Sequence, residues 1–291
     1  MPSPRAVRSF LFVPGARADL FPKALATGAD AIVLDLEDSV PPTQKETARR
    51  LVAAELARAP DRLTFLRINH PRFGDLERDL AALAPHATQG VMVPKVEGPR
   101  DLEELDARLA AHEMSSGLGL DEISVVVVIE SCAGLRNLFD TICRTKRVRG
   151  AALATAEEGD LMCDIGGRWT ASGEALTYAR GKFVCDARAA QMTWLIDGAF
   201  MQLTDESALE RECQLARTHG FNGKVAVHPR QVSAINRVFS PTDAEVERAQ
   251  KLIDAFREAE SHGRGAIQFQ GMMVDAANVR RAEQILSAPR R

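Results

Sequence analysis

The chain has 291 residues, 45% of them hydrophobic and 26% charged, with a formal net charge of -3. That composition supplies a sizeable globular core, and the near-neutral charge, with no long basic or acidic block, excludes nucleic acid and an anionic membrane as expected partners. Five cysteines (Cys132, Cys143, Cys163, Cys185, Cys213) are odd in number, widely spaced and in no CxxC pattern, which argues against a disulfide framework or structural zinc and for a reducing, cytoplasmic setting. No apolar stretch approaches membrane-spanning length, and the short apolar run before Pro14 reads as a strand rather than a signal peptide.

Ser9 to Val13, stopped by Pro14-Gly15, is the first predicted strand. A helix follows over Phe21 to Thr27, with Gly28 as its C-cap. Ala31 to Asp38 is the second strand, its acids gathered at the C-terminal end. The second helix runs from Gln44 to Ala59. Thr64 to Asn69 is the third strand, in which Arg67 and Asn69 lie two apart and share a face. A helix over Leu76 to Leu83 and a strand over Gly90 to Glu97 come next. Pro94 is unusual inside that strand, because it removes a ladder donor. Arg100 to His112 is a charged helix.

Ser124 to Glu130 carries five consecutive β-branched residues closed by a carboxylate, the pattern of a parallel strand buried on both faces. A helix over Leu135 to Thr145 follows, then a sixth strand over Arg149 to Thr155 and the acid cluster Glu157-Glu158-Gly159-Asp160. Ser172 to Ala190 is helical, Thr193 to Gly198 a seventh strand, Glu206 to His219 a helix, and Lys224 to Pro229 an eighth strand.

Eight strand–helix units in strict alternation imply a parallel sheet, and over about 230 residues they match a closed (β/α)8 TIM barrel better than an open sheet. No GxGxxG follows the first strand, which argues against a dinucleotide-binding sheet. From Pro241 the pattern changes to a charged helix over Thr242 to His262, a Gly263-Arg264-Gly265 loop, a short extended piece, and a helical end carrying Asp275. The predicted division is a catalytic barrel over 1–240 and a C-terminal helical extension over 241–291.

A barrel gathers the C-terminal ends of its strands at one mouth. Glu37, Asp38, Arg67, Lys95, Glu130, Asp160 and His228 then meet there although they are far apart in sequence. Glu130 and Asp160 offer hard oxygen ligands from adjacent strands, and two carboxylates with waters and substrate oxygens suit Mg²⁺. Glu37 and Asp38 suit metal-bound waters, and the planar Arg67 fork suits a substrate carboxylate. A divalent cation chelated by a 2-oxo acid stabilises an enolate oxygen, which points to making or breaking a C–C bond beside a carbonyl. The structural alternatives are an internal ion pair of Arg67 with Glu37 or Glu97, a salt-bridged rather than Schiff-base Lys95, and a hydrogen-bonded His228.

Eight stretches together resemble one family. They are Arg8 to Gly15, Leu34 to Val40, Arg67 to Asn69, Pro94 to Glu97, Ile129 to Ser131, Asp160 to Gly166, His228 to Val232 and Gly271 to Ala276. In this order they resemble the citrate lyase β-subunit-like family within the HpcH/HpaI aldolase group, which includes malyl-CoA and citramalyl-CoA lyases. The resemblance implies a Mg²⁺-dependent TIM-barrel lyase acting on an acyl-CoA or acyl-carrier thioester of citryl, malyl, methylmalyl or citramalyl type. It implies Glu130 and Asp160 as metal ligands, Arg67 and Glu130 as substrate contacts, and Arg17 near the thioester carrier. It further implies Asp275 as an acid/base that enters a neighbouring subunit, and assembly as a homotrimer or hexamer. Two departures stand out: Glu157 and Glu158 precede Asp160 as alternative ligands, and Asp275-Ala276-Ala277 lacks the usual proline. A pyruvate-class aldolase on free acids and an inactive barrel subunit are the other readings.

Overall fold

The computed structural model describes residues 6–57, 63–83 and 88–289. Eight strands, β1 (Ser9–Pro14), β2 (Ala31–Asp35), β3 (Leu63–Arg67), β4 (Gly90–Val93), β5 (Ser124–Ile129), β6 (Val148–Leu153), β7 (Trp194–Asp197) and β8 (Gly223–Ala226), close into one barrel in chain order. Every neighbouring pair is parallel, and β1 closes the ring on β8 with Phe10 opposite Val225. The TIM-barrel expectation holds.

Period-two alternation explains why the strands read as unbroken apolar runs. One set of side chains, including Phe10, Val33, Phe65, Met92, Val126, Ala152 and Trp194, packs together inside the ring. The alternate set, including Leu11, Leu34, Leu66, Val91, Val127 and Leu195, joins the larger cluster shared with the helices. Both faces are therefore buried, and neither tolerates a polar residue without a partner. The rings of Phe65 and Trp194 meet edge to face, 5.4 Å between centroids, and fill the interior below the mouth.

Several strands end earlier than the apolar pattern suggests, for local reasons. At β2 the Asp35 carboxylate accepts the backbone N–H groups of Glu37 (2.9 Å) and Ser39 (3.3 Å), which turns the chain off the ladder. At β4, Pro94 has no N–H to give, and Lys95 follows in the left-handed region at φ 56°. The expected helix over Leu135 to Thr145 is instead two short helices, Cys132–Arg136 and Leu138–Ile142, broken at Asn137. Ser131 caps the first, its Oγ accepting from Gly134 N at 3.0 Å. Helix Thr177–Ala189 begins later than expected, behind a 3₁₀ turn. Glu206–His219 agrees with expectation, capped by Asp205. Helix Pro229–Phe239, which the apolar spacing did not bring out, completes the eighth unit. Residues 58 and 59 of the expected second helix lie outside the described residues.

The chain forms two compact units, Met1–Phe239 and Ser240–Arg291. In the second, helix Asp243–Ser261 starts with a capping box in which Thr242 and Glu245 exchange hydrogen bonds. Strands β9 (Ile267–Phe269) and β10 (Met272–Val274) pair antiparallel, and helix Ala276–Ser287 follows. Leu252, Ile253, Phe256, Val274 and Ala282 give this unit its own apolar core. No helix among the described residues is long and apolar enough to cross a membrane.

Candidate active site

Asp35 and Arg67 are the last residues of β2 and β3, and they stand opposite each other in the strand register. The guanidinium grips the carboxylate with two bonds, Nε to Oδ1 and Nη2 to Oδ2, each 2.6 Å. Its third nitrogen, Nη1, lies 3.1 Å from Glu37 Oε2, and the Phe12 ring sits 5.1 Å from its carbon. Burial works against the Asp35 carboxylate, but the Arg67 charge and hydrogen bonds outweigh it and hold the acid below the usual carboxylate range. The same partners keep Arg67 protonated despite its own burial. The predicted ion-pair alternative thus exists, though its main partner is Asp35. Glu97 lies away from Arg67 and pairs with Arg72.

Lys95 links the next two strands. Its backbone N–H donates to Glu130 Oε1 at 2.6 Å, while its ammonium bonds Glu37 and both Asp38 oxygens. Burial opposes the ammonium, yet Glu37 and Asp38 raise its pKa above the ordinary lysine value, the opposite of what a Schiff-base lysine needs. Burial lifts the Glu37 carboxyl above its usual range despite Arg67. Its Oε2 atom is buried and accepts no aligned hydrogen bond among the described residues.

Glu130 is the most perturbed acid of the mouth. Burial, with repulsion from Glu37 and Asp160, outweighs the pull of Lys95 and pushes it up to about 7. Glu130 and Asp160 line one cavity of about 330 Å³, together with Asp38 and Arg67. Asp160 opens helix Asp160–Ile165, and its carboxylate is exposed to that space. Glu157 and Glu158 are exposed but are not among the residues lining the cavity. The remainder of the wall is apolar, built from Phe12, Ala154, Ala156, Ala199, Val225 and Val227 among others. Gly198 also lines it, and a side chain is excluded there because a Cβ would lie 2.3 Å from the Thr155 nitrogen.

The other expected residues fall outside this cavity. Asn69 does not share Arg67's face, because β3 ends at Arg67. It is buried between Lys45, Asp79 and the Leu36 carbonyl, and it lines a second cavity of about 530 Å³ with Glu37, Asp38, Lys45, Arg49 and Lys95. Arg17 is exposed and paired with Asp19 at 2.9 Å. His228 Nδ1 accepts the Arg230 N–H at 3.2 Å, a structural role. Cys132 has its thiol raised by burial and by Asp164, so it is not an activated nucleophile. Asp275 lies in the second unit, where its carboxylate caps helix Ala276–Ser287 through Ala277 N at 2.8 Å.

Asp35 was missed as a site residue. Aligning the expected strand ends, Asp38 and Asn69, sets it opposite Leu66; the observed register, one residue on, sets it across from Arg67.

The family described as HpcH/HpaI aldolase/citrate lyase matches residues 8–229, and that of carbon–carbon bond lyases of the TIM-barrel fold matches residues 177–290. The citrate lyase subunit beta of Leuconostoc mesenteroides is 32% identical over 288 residues, covering 98% of this chain and 94% of its own. The (3S)-malyl-CoA thioesterase of Cereibacter sphaeroides is 33% identical over 282 residues, covering 96% and 93%. Among solved structures, CitE of Mycobacterium tuberculosis in complex with magnesium, acetoacetate and coenzyme A superposes with a TM-score of 0.75 at 27% identity, over 97% of each chain. With matches of this extent, the chain belongs to the HpcH/HpaI aldolase/citrate lyase family.

Proposed function

We propose that this carbon–carbon lyase is Mg²⁺-dependent and splits a 3-hydroxyacyl thioester of CoA, or of an acyl carrier, into an acyl thioester and a 2-oxo acid. The observation that carries the reading is Glu130, held up to about 7 in a cavity it shares with Asp160. The Glu130 carboxylate, disfavoured by burial and by the charges of Glu37 and Asp160, is relieved by a cation beside it. Among the described residues no group of three or more metal-binding side chains occurs. A pair of carboxylates fits Mg²⁺ nevertheless, because that ion keeps several waters and takes substrate oxygens. Asp38, which lines the same cavity, suits one of those waters.

In this reading Glu130 and Asp160 hold the cation, and Glu37 and Asp38 orient its waters. Arg67, already aligned by Asp35, receives the carboxylate of the oxo-acid half. Bound Mg²⁺ supplies Lewis-acid polarisation of the developing carbonyl. The 3-hydroxyl gives its proton to a base, the oxygen pair forms the carbonyl, and the C2–C3 bond breaks. That bond's electrons become the thioester enolate, which takes a proton at C2 from Asp275. Arg17 stands near the thioester carrier. Asp275 acts in a neighbouring subunit of a homotrimer or hexamer, and the barrel over 1–240 is the catalytic domain with 241–291 as its extension. Five free cysteines support a cytoplasmic location. The relatives' names favour citryl, malyl or methylmalyl thioesters, and the sequence resemblance adds the citramalyl type.

The test is a panel of 3-hydroxyacyl-CoA thioesters assayed with Mg²⁺ and with chelator. Turnover on at least one thioester, abolished by chelation, is expected. Equal turnover on the free hydroxy acids would favour a pyruvate-class aldolase, and failure to bind Mg²⁺ would favour an inactive barrel.

A further inference from the structure

The candidate thioesters differ most at one carbon. Cleavage at C3 releases glyoxylate when that carbon bears hydrogen, pyruvate when it bears methyl, and oxaloacetate when it bears a carboxymethyl group. The last requires a second place for an anion, beyond the site that takes the carboxylate shared by all three. A buried carboxylate needs a cation or several donors, and an apolar wall offers neither.

The cavity supplies one cation. Arg67 is the single Lys, Arg or His among the described residues that line it. Its charge is shared among Asp35 at 2.6 Å on two nitrogens, Glu37 at 3.1 Å on the third and, in the lyase reading, the carboxylate common to all three substrates, which leaves none for a second anion. Lys95 does not line this cavity, and its ammonium is engaged by Glu37 and Asp38. Beside the two acids, the wall from β6 round to β1 is made of small or apolar groups such as Ala154, Ala199, Val225, Val227 and Phe12. Gly198 adds no side chain, and the Thr155 hydroxyl behind it is buried and committed to Asp197 and to Gly198 N.

We propose that this wall selects a hydrogen or short alkyl substituent on C3 and rejects a carboxymethyl group, so the enzyme's oxo-acid product is a monocarboxylic 2-oxo acid, glyoxylate, pyruvate or a short homologue, rather than a dicarboxylic one. The proposal rests on the lyase reading above. It concerns the oxo-acid half alone and leaves the acyl half open.

Binding separates the possibilities without turnover. Glyoxylate, pyruvate, 2-oxobutyrate and oxaloacetate are titrated calorimetrically into the full chain at one fixed free Mg²⁺ concentration. Pyruvate or 2-oxobutyrate is expected to bind at least about tenfold tighter than oxaloacetate, the discrimination expected when one substituent is mismatched to an apolar pocket. Met201→Arg places a cation on the wall at a residue 59% exposed, where folding tolerates it. That variant is expected to tighten oxaloacetate several-fold and leave pyruvate within about twofold. Oxaloacetate binding as tightly as pyruvate to the unmodified chain overturns the selection. Binding of none of the four acids with Mg²⁺ overturns the lyase reading itself, a result that cannot be mistaken for a change of preference among them.

Discussion

The two arcs of the barrel mouth are built from opposite materials. From β2 to β5 the strand ends carry Asp35, Glu37, Arg67, Lys95 and Glu130, tied to one another by hydrogen bonds and ion pairs. From β6 through β8 to β1 they carry Ala154, Gly198, Val227 and Phe12, with Asp160 as the acid that stands among them. The polar arc is preorganised: nearly every charge in it already has an opposite charge in place, so little has to rearrange when substrate arrives. The apolar arc makes the polar one matter, because excluding water is what lifts Glu130 to about 7.

Breaking the polar arc at its most perturbed member should have the largest effect. Glu130→Gln keeps the shape and the hydrogen bond acceptor for Lys95 N but removes the charge. Turnover is expected to fall by about 10³-fold or more, since the several kcal/mol that a held cation contributes to charge stabilisation is lost. Mg²⁺ titration of the variant checks it, and unchanged Mg²⁺ affinity would refute the ligand assignment.

The next change lies outside both arcs and tests whether they suffice alone. Asp275→Asn preserves the helix cap, because asparagine caps as well as aspartate, and removes the carboxyl. About 10²-fold lower turnover with unaltered Mg²⁺ affinity and melting temperature is expected for a lost proton donor. Asp275→Ala should lose about 1 kcal/mol of stability in addition, because the cap goes too. Full activity in the Asn variant would mean the proton comes from the mouth or from water.

How much of this contrast was legible beforehand follows from the residues themselves. The eight strands were readable because a strand buried on both faces shows no polar interruption, and Val125 to Ile129 is the extreme case. The acids of the mouth were readable because they end those runs. What escaped was long-range or conformational. The Asp35–Arg67 pair depends on which residues come into register across two strands 32 positions apart. The Lys95 N–H reaches Glu130 only because Lys95 adopts a left-handed backbone after Pro94, which no side-chain pattern announces. Asn69 was misplaced because alternation stops where the strand stops. The apolar arc was overlooked because alanines, glycines and valines draw no notice in a list of charged strand ends.

Asp35 offers a sharper cut within the polar arc. Asp35→Asn retains an acceptor for the Glu37 N–H but replaces the oxygen that accepts from Ser39 N and Arg67 Nη2, and it leaves Arg67 one charge short. Removing one partner of a buried pair costs about 3 kcal/mol or more, so the melting temperature should drop measurably. If Asp35 also aligns Arg67 for a carboxylate, KM for the thioester should rise about 10- to 100-fold while Mg²⁺ affinity holds. A drop in stability with KM unchanged would make the pair purely structural.

The gentlest probe leaves the sequence intact and changes only the proton concentration. Glu130 has a folded pKa of about 7, above its ordinary value of 4.5. Its contribution to the stability of the metal-free protein is therefore fully present below pH 4.5 and is lost as pH rises through about 7. Mg²⁺ requires the ionised form, so the cation and the proton compete for the same oxygens. Between pH 6 and pH 8 the ionised fraction of a group at pKa 7 rises from about one-tenth to about nine-tenths, and apparent Mg²⁺ affinity should rise about tenfold with it. Titrations at pH 7 in two buffers of different ionisation enthalpy would count the released protons, with about half a proton per Mg²⁺ expected from this group. An affinity flat across that range would mean that water reaches Glu130 freely, and the apolar arc would then lose the role assigned to it.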